Sequence, residues 1–316
     1  MSDVLIIGDI HYGDSVASRK DDYPTTILEQ LYKFCEYNKN CHIICLGDLF
    51  NLVSLNFRNL GNFQTVISLI KNKFNCHFYS IIGNHDCRND LDSDDDMINT
   101  PLGYLNRSGI ITMISANSNI IIGNNIFVSS YVNKGKCVDH LTNYNDSFND
   151  HYNKFLLLHH CDINNDLLHS LPFKAIFLGH EHCPYSNDTL VSSSNNNIYL
   201  PGSFTRKEAL DFNYYDRYIN YYRINNDGDV TLNKFSYIKD AKDVFRVNSL
   251  ERTNYKINQY KKVVKSITNK INIDDIISKY NNINKYGSIY SINDALIEIK
   301  TPKIIHETIL KEYSEV

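Results

Sequence analysis

Five short apolar runs, each ending on residues able to ligate a metal ion, constrain this chain more than anything else in its sequence. Val4–Gly8 leads into Asp9-Ile10-His11, His42–Gly47 into Asp48, and Phe78–Gly83 into Asn84-His85-Asp86. Phe155–Leu158 leads into His159-His160, and Ala175–Gly179 into His180-Glu181-His182. Runs of this length, rich in β-branched residues, read as buried strands. Between them, Thr25–Tyr37 and Phe63–Lys73 carry apolar residues at helical spacing. Alternating strands and helices predict an α/β layered fold, in which ligands gather beyond the carboxyl ends of the strands. All five runs place their metal-compatible residues there.

Later segments add strands. Asn119–Ile122 and Ile126–Val132 predict a hairpin turning at Gly123-Asn124-Asn125. Asn197–Leu200 ends in Pro201-Gly202-Ser203, and Tyr218–Ile224 and Val230–Ile238 flank the turn signal Asn226-Asp227-Gly228. These later strands suggest a second sheet packed on the first. Asn89–Asp96 reads as an acidic, solvated loop. From about Asp240 the character changes. Asn254–Ser266, Ile273–Tyr280 and Pro302–Tyr313 look helical, with a strand within Ser288–Ile299, and lysines recur from Lys256 to Lys279 as a solvated face. The expected division is a catalytic domain over 1–240 and a small α+β accessory domain over 241–316.

Composition narrows the setting. A hydrophobic content of 42% and a charged content of 22% suit a globular protein. No stretch approaches the roughly 18–20 consecutive apolar residues of a membrane span, so no membrane association is expected. The N-terminus has no basic leader and reads as a first strand. Eight scattered cysteines form no Cys-x-x-Cys pair, which argues against a zinc ribbon or redox motif and favours a reducing, cytoplasmic setting. A net charge of −4 provides no global basic footprint. Any nucleic-acid contact must therefore be local or carried by metal ions.

Taken singly, the polar residues have ordinary readings. Asp9 or Asp48 could cap a helix, and His159 could be a core histidine. Asp9 and His11 are two apart, which on an extended strand end sends both to one side. Asp48 can bridge two cations, Asn84 offers a carbonyl oxygen, and His159, His180 and His182 add imidazoles. Such a mixed set suits two first-row ions better than an all-oxygen calcium cage.

Gly8-Asp9-Ile10-His11, Gly47-Asp48, Gly83-Asn84-His85-Asp86, His159 and Gly179-His180-Glu181-His182 together resemble the signature blocks of calcineurin-like metallophosphoesterases, in the family's order. The resemblance implies a four-layer α/β/β/α sandwich with a dinuclear site between the sheets. It also implies that Asp9, His11 and His182 hold one metal, that Asn84, His159 and His180 hold the other, and that Asp48 bridges them. His160 competes with His159 for the single-histidine block, and His159 is preferred as the first after its apolar run. Two such cations, Mn²⁺ or else Fe or Zn²⁺, would activate water and neutralise phosphoryl oxygens. His85 would be the general acid, with Asp86 orienting its imidazole.

Within that family, Gly8-Asp9-Ile10-His11-Tyr12-Gly13, Ile198-Tyr199-Leu200-Pro201-Gly202-Ser203 and the C-terminal tail are similar to the SbcCD-type DNA repair exonucleases and their phage recombination counterparts. That branch implies DNA as substrate, a coiled-coil ATPase subunit of the SMC-like type, and a homodimer. The chain departs from it at Asn51, where many members have histidine or aspartate, in the compact His159–His180 interval, and in its short tail. The alternatives are a stand-alone phosphodiesterase or phosphatase acting on small esters, and a metal-binding scaffold without catalysis.

Overall fold

In order along the chain, β1 (Val4–Ile7), α1 (Tyr23–Tyr37), β2 (His42–Cys45), α2 (Phe57–Phe74) and β3 (His77–Ile81) realise the predicted strand–helix alternation. The computed structural model describes residues 2–246, apart from residues 15, 89–93, 133, 144–150, 161–167, 169, 184–196, 208, 210–214 and 216–217. There follow α3 (Asp94–Met97), α4 (Pro101–Arg107), β4 (Thr112–Ile114), β5 (Asn119–Ile122), β6 (Asn125–Ser129) and α5 (Lys134–Thr142). The remaining elements are β7 (Asn153–Leu158), β8 (Ala175–Leu178), β9 (Asn197–Tyr199), β10 (Tyr218–Ile224), β11 (Val230–Ser236) and α6 (Ala241–Val244).

Two sheets result. The first has the order β11-β10-β1-β2-β3-β4 and the second β5-β6-β7-β8-β9. The strands that end in the candidate residues are parallel within each sheet: β1 with β2 and β2 with β3 in the first, β7 with β8 in the second. The β5–β6 hairpin and β9 fall in the second sheet, as expected for later strands. The β10–β11 hairpin does not. It joins the first sheet through antiparallel pairing of β10 with β1, Val4 opposite Ile224. An apolar pattern identifies a strand but says little about which edge it extends.

Three apolar clusters separate four layers. Leu5, Ile7, Ile43 and Cys45 pack with Leu31 and Phe34 of α1 and with Phe63, Ile67 and Ile70 of α2. Val4, Ile6 and Ile44 point the other way and meet Phe127, Phe155 and Phe177 of the second sheet. Beyond that sheet, Leu156, Leu158 and Ile176 pack with Cys137 and Leu141 of α5. Period-two alternation along each strand thus fills both faces, the behaviour of strands buried between helices and a second sheet. The expected α/β/β/α sandwich is the observed one.

Two boundaries moved for physical reasons. Helix α2 begins six residues before the predicted start, because Asn56 caps it by accepting from the Asn59 N–H at 2.8 Å. Its first turn stands off the core, with Phe57 93% exposed, so apolar periodicity cannot register it. Part of the predicted acidic loop is helical, since α3 covers Asp94–Met97. Among the described residues no helix is long and apolar enough to cross a membrane, and no disulfide joins the described cysteines. Residues 241–246 are tied to the loop before α1, with Lys20 N–H donating to the Val244 carbonyl at 2.9 Å and Arg246 N–H to that of Ser18 at 3.0 Å. The rest of the predicted accessory domain, 247–316, lies outside the described residues, as does Cys161.

Candidate metal centre

Strand register explains why five distant stretches meet. In the first sheet, Ile7 pairs with Cys45 and Cys45 with Ser80. Asp9, Asp48 and Asn84 therefore emerge from strand ends that lie side by side. In the second sheet, Leu158 pairs with Leu178, so His159 and His180 leave together. The two sets face each other across the inter-sheet core.

The chain must bend sharply at these ends. Among the described residues only six non-glycine positions have positive φ, three of them asparagines in turns. The others are His11 (51°), Asp48 (45°) and His180 (63°). A left-handed backbone costs such residues on the order of 1–2 kcal/mol each, and strain of this kind concentrates at functional sites. His11 thus does not continue an extended strand, as the two-apart spacing suggested. A turn brings its Nε2 to 3.8 Å from Asp9 Oδ2. Close approach also dictates glycine: a Cβ on Gly83 would overlap the Asp48 backbone, and one on Gly8 would overlap the Gly202 carbonyl.

Three groups of candidate ligands result: Asp9, His11 and His182; Asp48, His159 and His180; and His11, Asp48 and His85. His11 Nε2 and His182 Nε2 are 2.8 Å apart, and Asp9 Oδ2 lies 3.6 Å from the latter. On the other side, Asn84 Oδ1 is 2.8 Å from His159 Nε2 and 3.1 Å from His180 Nδ1. Asp48 stands between the groups, with Oδ2 3.7 Å from His11 and Oδ1 3.3 Å from His159. Of the two adjacent histidines, His159 faces the cluster. His160 packs edge-on against the His180 ring, centroids 4.4 Å apart, and belongs to none of the groups.

The donor set fits cations. Asp9 Oδ2 is a buried carboxylate oxygen with no hydrogen-bond partner, while Oδ1 accepts from the His180 N–H at 3.2 Å. His159 Nδ1 donates to the Leu46 carbonyl at 2.8 Å, which turns Nε2 towards the Asn84 oxygen. Burial dominates the electrostatics. It raises Asp9 to about 7 despite the opposing pull of His159, and it lowers His180 and His182 to about 4. Burial also works against the charge on Asp48, but the imidazoles of His159 and His11 outweigh it and hold Asp48 below the usual carboxylate range. Burial likewise disfavours charge on His159, but the carboxylates Asp48 and Asp9 in turn outweigh it and raise His159 to about 10. A pair of divalent ions would complete this buried cluster of carboxylates and imidazoles.

The pair beside these residues divides its work differently from the sequence expectation. His85 reaches the centre's edge, with Nε2 3.9 Å from Asp48 Oδ2 and a half-exposed ring. Its Nδ1 donates to the Asn51 carbonyl at 2.7 Å. Asp86 does not orient it. The Asp86 carboxylate accepts from the N–H groups of Gly83 (3.0 Å), Phe50 (3.0 Å) and Leu49 (3.2 Å), tying the loop after β3 to the loop after β2. Burial raises Asp86 to about 7. It is a structural clamp, and the orienting atom is a backbone oxygen of Asn51, whose side-chain identity had marked a departure from the nuclease pattern.

Sequence reasoning missed the residues that join the two halves. Ser203 N–H donates to the His182 carbonyl at 3.0 Å, and Phe204 N–H to that of Asp9 at 2.9 Å. Ser203 Oγ donates to the same Asp9 oxygen at 3.2 Å, and Thr205 Oγ1 to Ile10 at 3.0 Å. Pro201-Gly202-Ser203 is thus a strap across the site. Lys207, just beyond it, brings Nζ to 3.4 Å from His11 Nδ1. The Pro-Gly-Ser signal pointed at this strap, whereas the carbonyls of Leu46 and Asn51 leave no mark in a sequence.

Comparison with known proteins gives three findings. No curated protein matches the chain. Among solved structures, it is similar to a dimetal phosphatase from Danio rerio at 12% identity and a TM-score of 0.42, over 75% of this chain and 97% of that one. The sequence model of the calcineurin-like phosphoesterase family matches residues 2–184. With more than half of its length matched by that model, the chain belongs to the calcineurin-like phosphoesterase family.

Proposed function

We propose that the protein is a two-metal phosphodiester hydrolase that cuts DNA in recombination or repair, working with a coiled-coil ATPase subunit and Mn²⁺. The observation that carries the hydrolase reading is the placement of His85 at the rim of a buried donor cluster. In it, Asp9, His11 and His182 would hold one cation and Asn84, His159 and His180 the other, with Asp48 beside both groups. Bound cations would supply a nucleophile from water at neutral pH and neutralise the phosphoryl oxygens.

The chain's own groups do the rest. With Nδ1–H fixed on the Asn51 carbonyl, His85 presents Nε2 to the centre. In the imidazolium form it gives its Nε2 proton to the departing alkoxide, whose expulsion otherwise limits the reaction. Asp86 and the Ser203 strap keep the loops in register. Lys207 adds positive charge beside His11. DNA is favoured by Gly8-Asp9-Ile10-His11-Tyr12-Gly13 and by the Pro201-Gly202-Ser203 stretch, which follows the edge strand β9 and is tied into the site.

Purified protein with Mn²⁺, offered labelled single- and double-stranded DNA, a small diester and a small monoester, tests this. DNA and the diester should be cleaved and the monoester spared. Turnover of small esters without DNA cleavage, even with a coiled-coil ATPase added, would sink the nuclease reading.

A further inference from the structure

At the end of the first sheet opposite the metal centre, β2 and β3 are entered through the same tripeptide, Asn40-Cys41-His42 and Asn75-Cys76-His77. Both asparagines turn the chain with positive φ, 53° and 54°. His42 pairs with His77 in parallel register, and His77 N–H donates to the Cys41 carbonyl at 3.0 Å. The two cysteines therefore lie side by side, one step before the sheet. Their sulfurs are 3.6 Å apart, so a movement of roughly 1.5 Å reaches disulfide length. Both sulfurs lie beside the Asn38 carbonyl oxygen, 3.0 Å from Cys41 and 3.2 Å from Cys76.

We propose that Cys41 and Cys76 are an oxidation site, which hydrogen peroxide converts into an intramolecular disulfide stapling β2 to β3. Cys76 is the attacking thiol: hydrogen bonds from Cys35 and Cys41 hold it well below its usual value, which favours the nucleophilic thiolate. Its sulfur takes one peroxide oxygen, the O–O bond breaks, and a sulfenic acid and one water form. Cys41 Sγ then attacks that sulfur, the S–S bond forms, and a second water leaves. Two thiols lose two electrons and two protons, and one peroxide accepts them.

The bond closes a loop over residues 41–76 that contains Asp48 and all of α2. Cys41 lies seven residues before Asp48, roughly 20 Å along an extended strand. The staple therefore restricts the unfolded chain without entering the metal centre. It uses none of the residues assigned to hydrolysis and stands apart from that reading.

Full-length, metal-loaded protein is titrated with hydrogen peroxide, remaining thiols are alkylated, and unreduced peptides are mapped by mass spectrometry. The expected product is a linked Cys41–Cys76 peptide that dithiothreitol reverses. Tm should rise by several degrees, with metal content unchanged. Cys35→Ser should slow the reaction and leave the linkage the same, while Cys41→Ala should strand Cys76 as sulfenic or sulfinic acid. A Cys35–Cys76 linkage would overturn the proposal. So would a Cys41–Cys76 pair that stays reduced after the exposed Cys183 is fully oxidised, and that mapping needs no variant.

Discussion

The ends of β1, β2 and β3 bring Asp9, His11, Asp48, Asn84 and His85 to the centre, whereas the ends of β7 and β8 bring only the imidazoles of His159, His180 and His182. Both halves contribute buried and partly covered groups. Asp9, His11, Asp48 and His159 are buried, while Asn84, His85, His180 and His182 are partly covered. All the formal negative charge of the donor set therefore sits in the first sheet, in a place where charge is expensive without a partner. The second sheet adds imidazoles, of which burial keeps His180 and His182 neutral. Loss of a first-sheet carboxylate should remove the reason for cations to be present, and loss of a second-sheet imidazole should weaken only the ion it faces.

The largest expected effect follows from Asp48, whose side chain lies near both groups. Asp48→Asn should lower activity by about 10⁴-fold and reduce bound metal at both positions, read by turnover and elemental analysis of the same sample. Next comes His85→Ala, expected to slow kcat by about 10²–10⁴-fold as a lost general acid while metal content stays intact. Metal loss in that variant would mean His85 is a ligand. Asp86→Ala leaves three buried N–H groups without their acceptor and should cost about 3 kcal/mol. Thermal melting of apo and metal-loaded protein measures it. The smallest effect belongs to the second sheet: His182→Ala should lower metal affinity or activity by about 10–100-fold and release one ion while the other stays. If His182→Ala proves as damaging as Asp48→Asn, the contrast between the halves is wrong.

Much of this architecture could be read from sequence because it rests on short-range signals. Apolar runs of four to six residues located β1, β2, β3, β7 and β8 to within two residues, since burial on both faces leaves a continuous pattern. What escaped depended on distant pairing. The β10–β11 hairpin was recognised as a hairpin from Asn226-Asp227-Gly228, but its attachment to β1 is a choice of edge that no local pattern encodes. At the centre, residue types pointed to side chains that the fold brings together, and the single-histidine choice fell on His159, the ring that faces Asn84. The roles of His85 and Asp86 turned on backbone partners. Adjacency in sequence suggested that Asp86 serves His85, but the fold hands His85 to the carbonyl of Asn51 and points Asp86 at three amides. Backbone atoms are the same at every position, so sequence does not report which of them will be used.

The central claim is that five strand ends from two sheets make one dinuclear centre. Anomalous diffraction from crystals grown with Mn²⁺ tests it directly. The account predicts two peaks per chain between the sheets, one against Asp9, His11 and His182, the other against Asn84, His159 and His180, with Asp48 touching both. A single peak, or peaks on other side chains, would contradict it.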